Sequence, residues 1–363
     1  MPNRALRATS PDKVPSSDAV ARVLIVDDSL VARSILARLV DAVPRFAVAA
    51  AVGTAEAALA YLETEQVAVI LLDLEMPGVT GLAALPDLLA AGRGARVLVV
   101  SSTVDAGAAT TIQALALGAA GTLVKPGIGS FAGRFGDMLA DQLQRLIDPP
   151  AEAATLQPAH PAEAFHGPLA IGKQAFSIVG IGASTGGIHA LSQVLRPLTA
   201  TFQAPIVITQ HLPVTFSAYF AAQVALLAGR PCDVAEDRMR LQPGRVVVAP
   251  GDAHLVLTRM TDGVAVRLSR QPAASRCMPS VDPMLQSLAA LYGDRALGIM
   301  LSGMGRDGAQ GAADLVSAGG TIVAQDRASS VVWGMPGAVA HLASAVLSPD
   351  AIGALIAKQR CPA

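Results

Sequence analysis

The sequence predicts an α/β protein built from two doubly wound units. Three observations carry this. Short apolar runs alternate with stretches of helical periodicity, the pattern of parallel sheets covered by helices. Residues able to do chemistry stand at the ends of those runs, which in a doubly wound sheet form the rim where ligands bind. The 363 residues are 52% hydrophobic and 15% charged, enough apolar material for the cores of two or three domains.

Residues 1–20 are polar and punctuated by proline. They read as a disordered leader without the apolar core of a signal peptide. Residues 22–26 form a buried-strand pattern running into Asp27, Asp28 and Ser29. A helical pattern follows through Val31, Ile35, Leu36 and Leu39, then a strand at 47–52 and a helix at 55–62. Residues 67–72 are a third strand, ending at Asp73, with helical residues at 82–89. A fourth strand at 96–100 ends at Ser101, residues 106–117 are helical, and a short fifth strand at 121–124 ends at Lys125 and Pro126.

On one rim, Asp27, Asp28, Asp73, Ser101 and Lys125 converge. Three crowded carboxylates do not all ionise comfortably without a compensating cation. An all-oxygen donor set with open water positions suits Mg²⁺, and a lysine and a hydroxyl beside it suit a phosphoryl group. Any one of these residues could instead be a helix cap or a solvated lysine; five at the ends of four strands are not.

The motifs Val26-Asp27-Asp28-Ser29, Asp73-Leu74-Glu75-Met76-Pro77-Gly78, Ser101 and Lys125-Pro126 resemble the receiver domain of two-component response regulators, a flavodoxin-like fold, over roughly 21–145. The resemblance implies that Asp73 accepts a phosphoryl group from a histidine kinase. It implies that Asp27 and Asp28 hold Mg²⁺ with the Glu75 carbonyl, that Lys125 contacts the phosphoryl oxygens, and that Ser101 switches to bond them. Many receivers carry an aromatic residue three positions before the lysine; Thr122 stands there.

Residues 148–174 lose all periodicity and hold five prolines, the texture of a linker. A flexible coil of that length spans about 25–30 Å root-mean-square, so the two units can meet face to face. The domain scheme is therefore a leader at 1–20, a receiver at 21–147, a linker at 148–174 and a second α/β domain at 175–361.

That second domain opens on an apolar strand ending in Gly182-Ala183-Ser184-Thr185-Gly186-Gly187, with a helix after it. The stretch fits a nucleophile elbow, in which glycines let a sharp turn lift a serine clear of the sheet. It also fits a dinucleotide loop cradling phosphate at a helix N-terminus. The next strand, 205–210, decides between them. A dinucleotide site wants an acid at its end; this chain has Gln210-His211. A nucleophilic serine wants a histidine base and a carboxylate to orient it. Strand 296–301 leads into Ser302-Gly303-Met304-Gly305-Arg306-Asp307, which brings Asp307 to the same rim. The order Ser184, His211, Asp307 differs from that of the α/β-hydrolases. Residues 245–249, 254–257 and 264–268 read as an antiparallel patch. His254 in that patch is the second candidate base, His189 and His341 read as structural, and Asp282 reads as a helix-start cap.

Gly180 to Gly187, Gln210-His211, Ala249-Pro250-Gly251-Asp252, Pro279-Ser280-Val281-Asp282, Ser302 to Ala309 and Gly334-Met335-Pro336, in that order behind a receiver, resemble the chemotaxis protein-glutamate methylesterases. The resemblance implies a Rossmann-like parallel-sheet hydrolase domain with a Ser184–His211–Asp307 triad. It implies hydrolysis of glutamate γ-methyl esters on chemoreceptor signalling helices and deamidation of receptor glutamines. Backbone N–H groups near Thr185 and Met304 are candidates for the oxyanion hole. The family usually has arginine before Pro-Ser-Val-Asp; Met278 stands there, with Arg276 two positions earlier. That substitution is the one feature favouring a competing reading, a phosphorylation-gated binding protein with an idle hydrolase fold.

Other classes are excluded. Aromatics are 3% of the chain and the net charge is −1, which does not suit a nucleic-acid-binding face. Cys232, Cys277 and Cys361 are far apart with no C-x-x-C pair; they read as reduced thiols, neither a disulfide framework nor a zinc site. No apolar run is long enough to span a bilayer. A cytoplasmic monomer with no cofactor for the ester chemistry is expected.

Overall fold

The computed structural model describes residues 20–101, 108–125, 134–147 and 176–358. The expected linker, nearly all of the leader, Pro126 and Cys361 lie outside the described residues.

The N-terminal unit alternates strands and helices: β1 (Ala21–Val26), α1 (Leu30–Asp41), β2 (Phe46–Val52), α2 (Ala55–Thr64), β3 (Val69–Leu72), α3 (Gly81–Ala91), β4 (Arg96–Ser101), α4 (Ala108–Leu117), β5 (Gly121–Val124) and α5 (Arg134–Ile147). The five strands form one parallel sheet in the order β2-β1-β3-β4-β5. β3 is buried along its whole length, as expected of a strand covered by helices on both faces. Hydroxyl side chains start three of the helices: Ser29, Thr54 and Thr80 accept the N–H of Ala32, Ala57 and Ala83, satisfying donors that the first helical turn leaves open. The rise of the chain through α5 has its own signature, with Phe135, Leu139, Leu143 and Leu146 buried on one face.

The C-terminal unit runs β6 (Ile178–Ala183), α6 (Gly187–Leu195), β7 (Ile206–Gln210), α7 (Ser217–Ala228), β8 (Cys232–Val234), β9 (Val246–Val248), β10 (His254–Met260), β11 (Gly263–Ser269), α8 (Val281–Tyr292), β12 (Ala296–Met300), α9 (Ala309–Ser317), β13 (Thr321–Gln325), α10 (Met335–Val339), β14 (Ala345–Leu347) and α11 (Pro349–Ala357). Seven strands form a parallel sheet in the order β14-β13-β12-β6-β7-β9-β8. β10 and β11 pair separately as an antiparallel ribbon.

Two expectations are corrected. Residues 245–249 do not belong to the antiparallel patch, because β9 pairs in parallel with β7 inside the large sheet. An all-valine strand carries no alternation that distinguishes a central parallel strand from a ribbon. Asp282 does not cap α8. Ser280 does, accepting the Asp282 N–H, while Asp282 reaches across to take the Gly311 N–H at the start of α9.

Helix α4 of the first unit packs on α6 and α7 of the second, and Ile112 and Leu115 share one buried apolar cluster with Ile188, Leu191, Phe216 and Phe220. The receiver-like unit therefore sits over the helix that follows the Ser184 turn. Among the described residues no helix is long and apolar enough to cross a membrane.

Candidate active site and phosphoryl-acceptor pocket

Parallel pairing places β12, β6 and β7 side by side, so Ser184, His211 and the turn holding Asp307 emerge from one rim. Ser184 follows β6 directly. Its N–H donates to the Ser302 carbonyl at 3.0 Å, and its carbonyl accepts the Gly187 N–H at 2.8 Å. The turn closes through Gly186 at φ 72°, a left-handed conformation that favours glycine. Gly303 lies flat against the serine: a Cβ there would sit 2.8 Å from the Ser184 Cβ.

His211 and Asp307 are joined directly, Nε2 to Oδ2 at 2.8 Å. Asp307 is buried and collects further donors. Ser280 Oγ donates to Oδ1 at 2.5 Å, and the Val281 N–H donates to Oδ2 at 2.8 Å. Burial by itself raises the Asp307 carboxyl. The hydrogen bonds from His211, Ser275, Ser280 and Val281 outweigh it and bring the pKa down to about 2. A carboxylate fixed in the charged state accepts the His211 Nε2–H, leaving Nδ1 as the nitrogen free to take a proton. Ser184 and His211 line one cavity of about 330 Å³. No hydrogen bond joins the two side chains among the described residues, as is common where a catalytic contact tightens only around substrate.

The competing base is eliminated by its partners. His254 Nδ1 accepts the Ser280 N–H at 2.9 Å, and Nε2 faces the Gln271 carbonyl at 2.8 Å. Both ring nitrogens are committed, so His254 orients Ser280 and with it Asp307.

The other rim carries the acidic pocket. Asp27, Asp28 and Asp73 each offer a carboxylate oxygen within 4.8 Å of the others. Lys125 Nζ lies 2.7 Å from Asp27 Oδ2 and 2.6 Å from Asp73 Oδ2. Burial lowers the Lys125 pKa, but the two carboxylates outweigh it and hold the ammonium above its ordinary value. Burial pushes the Asp73 carboxyl up, and the Lys125 contact offsets only part of that. The Glu75 N–H donates to Asp73 Oδ1 at 3.2 Å. Ser101 is buried at the end of β4, its carbonyl accepting the Lys125 N–H at 2.8 Å.

The pocket fits a divalent cation on its own chemistry. Asp27 Oδ2 is buried and accepts no well-directed hydrogen bond despite the nearby ammonium. Such an oxygen in an all-carboxylate donor set is what a hard cation satisfies.

Comparison with known proteins supplies the family. The CheB methylesterase family model matches residues 179–356, and the response regulator receiver domain model matches residues 23–129. The protein-glutamate methylesterase/protein-glutamine glutaminase 1 of Paramagnetospirillum magneticum is 40% identical over 95% of this chain and 97% of its own length. The chain belongs to the protein-glutamate methylesterase/protein-glutamine glutaminase family. The protein-glutamate methylesterase/protein-glutamine glutaminase 2 of Caulobacter vibrioides is also 40% identical, over 93% of this chain and 98% of its own length. The crystal structure of the Thermotoga maritima CheB methylesterase catalytic domain is 36% identical, covers 50% of this chain and 98% of that one, and superposes with a TM-score of 0.48.

Ser280 and Gln210, given no role by sequence, and His254, read there as the second candidate base, surround the candidate site. Ser280 and His254 support Asp307 as described. Gln210, buried beside the elbow, donates from Nε2 to the Ser184 carbonyl at 3.0 Å, tying the Ser184 turn to the strand that leads into His211. Ser280 and Gln210 lie in motifs that mark the family, which is the signal that could have found them. The receiver forms the opposite wall of the Ser184 cavity, with Thr122, Val124, Met138 and Gln142 facing Ser184 and His211. His189 Nδ1 meets the Ala116 carbonyl of the receiver at 3.0 Å, and its Nε2 is 3.1 Å from Gln193 Nε2. His189 is thus structural, as expected, but across the junction between the two units.

Proposed function

We propose that this chain is a phosphorylation-activated hydrolase. It removes methyl groups from glutamate γ-methyl esters on the cytoplasmic helices of chemoreceptors, releasing methanol, and deamidates receptor glutamines. The observation that carries the reading is the His211–Asp307 contact on the rim and cavity that also hold Ser184. His211 Nδ1 takes the Ser184 hydroxyl proton as Oγ attacks the γ-carbonyl. The tetrahedral oxyanion is received by the N–H groups of Thr185 and Met304. His211 returns the proton to methanol, or to ammonia from a glutamine, as the C–O or C–N bond breaks. Water then adds to the acyl-serine by the same path, freeing the glutamate carboxylate and restoring Ser184.

In the receiver, Asp73 is the phosphoryl acceptor for a histidine kinase. Asp27, Asp28 and the Glu75 carbonyl would hold Mg²⁺, which when bound neutralises charge on the transferring phosphoryl group. Lys125 holds the phosphoryl oxygens and Ser101 turns to bond them. The receiver wall across the cavity supports an inhibitory role for the unphosphorylated unit: substrate reaches Ser184 when phospho-Asp73 loosens that wall.

The test is release of labelled methanol from methylated receptor membranes by the full chain. Ser184→Ala is expected to lose at least about 10⁴-fold in turnover, the scale of removing a triad nucleophile; retained turnover overturns the assignment. A small-molecule phosphodonor is expected to raise the native rate, and Asp73→Asn is expected to remove that rise.

A further inference from the structure

Cys277 takes no part in the chemistry above, yet its Sγ lies within 4.8 Å of ligand atoms of both His211 and Asp307, and those lie within the same distance of each other. Cys277 and His211 are half-buried and Asp307 is buried, so the cluster has an open side. The thiol's hydrogen-bond partner is Ser275, whose carbonyl lies 3.7 Å from Sγ, a weak contact because sulfur is a weak donor. The donors are one imidazole nitrogen, one sulfur and one carboxylate oxygen. Three protein ligands of these types with an open fourth position are what zinc takes where another molecule completes its tetrahedron. Bonds of about 2.0–2.3 Å set donor atoms roughly 3.3–3.8 Å apart, so a cation enters by rotation of the Cys277 side chain together with opening of the His211–Asp307 pair from its present 2.8 Å. The acidic pocket of the receiver, all oxygen, suits hard cations instead.

We infer that Cys277, His211 and Asp307 form a binding site for a thiophilic divalent cation of the zinc class, which switches the hydrolase off. The inference rests on the triad reading for its consequence, but not for the site itself.

The proton count explains the consequence. His211 now carries its proton on Nε2, facing Asp307. A cation on Nε2 displaces that proton to Nδ1, the nitrogen that must accept from Ser184. Cys277 binds as thiolate and gives its proton to solvent. The base is thereby blocked without any change at Ser184, and chelation of the metal restores it.

The experiment is cobalt(II) titration of the full chain, read by the thiolate-to-metal charge-transfer band and the visible bands of a tetrahedral site. Both bands are expected in the native chain and in Asp73→Asn, and both are displaced by zinc. Cys277→Ala and His211→Ala are each expected to lose the charge-transfer band and at least about 100-fold in cobalt affinity, beyond the upper end of what losing a mere supporting group costs. No charge-transfer band in the native chain, or a band that survives Cys277→Ala, overturns the site. In the methanol-release assay, zinc is expected to slow the native chain at least about tenfold. Cys277→Ala, measured against its own metal-free rate, should be at least about tenfold less sensitive. Equal sensitivity overturns the switch. A native chain that shows the band but never releases methanol defeats the esterase reading and the switch, and leaves the metal site standing.

Discussion

The two rims of this molecule solve opposite problems with the same architecture. Both are the C-terminal edges of parallel sheets, and both gather buried carboxylates. In the receiver the acids are only partly satisfied: Asp27 and Asp73 share the one ammonium of Lys125, and burial still raises the Asp73 carboxyl. In the hydrolase unit Asp307 is saturated with donors and its pKa is held at about 2. An acceptor for a transferred group must be incompletely satisfied until cation and phosphoryl group arrive. An orienting carboxylate must already be fixed in charge and direction before substrate arrives, because preorganisation is what lowers the barrier. The difference lies in the donors around each acid rather than in the acids themselves.

That contrast can be broken from the saturated side first. Asp307→Asn keeps the shape but takes away the charge that holds His211 with its Nε2–H. Methanol release is expected to fall about 10³–10⁴-fold, with or without phosphodonor. A fall only in the phosphodonor-stimulated part would mean that Asp307 serves regulation.

Ser280→Ala is the finer probe. It removes one hydrogen bond to a charged group, worth about 1.5–3 kcal/mol, and lets the Asp307 carboxyl rise. The sign follows from linkage. A carboxyl held below its ordinary value of about 3.9 lends stability that is complete above that value and is lost as pH falls through the folded value. In the native chain this loss centres near pH 2. In Ser280→Ala it should set in at higher pH, read by acid unfolding followed by circular dichroism. An unchanged acid transition would mean that His211, Ser275 and Val281 hold the charge without Ser280.

The smallest effect is expected at the junction between the units. His189→Ala deletes the contact to the Ala116 carbonyl. If the packing between the units is inhibitory as proposed, a net loss of about 0.5–1.5 kcal/mol from it predicts a basal rate about 2–10-fold higher without phosphodonor. An unchanged basal rate would place the inhibitory contact entirely in the apolar packing of α4 on α6 and α7.

Much of this is legible in the sequence alone. The acidic pocket could be read because its residues directly follow apolar runs, and a parallel sheet obliges such residues to share a rim. Ser184 and His211 could be read for the same reason, and Asp307 because its turn repeats the glycine-rich texture of the elbow. The strand β9 was misassigned because three valines carry no period. Helix α5 went unread beside the motifs around it, although its buried positions recur at helical spacing. The helix-start cap was placed on Asp282 instead of Ser280: a serine one residue before a helix looks the same whether it caps only that helix or also grips a distant carboxylate.

What the sequence by itself determined is the alternation of elements and the identity of the residues at strand ends. These follow from local periodicity and from the rule that parallel strands end together. What only the tertiary structure decided is which groups surround those residues. Asp307 takes its shortest hydrogen bond from a residue 27 positions away and orients a histidine 96 positions away. His189 meets a carbonyl 73 positions away, in the other unit. The thiol of Cys277 comes within 4.8 Å of ligand atoms of His211 and Asp307 in the same way. Such contacts have no periodicity to betray them, because they are set by how loops and helices pack once the sheets have formed.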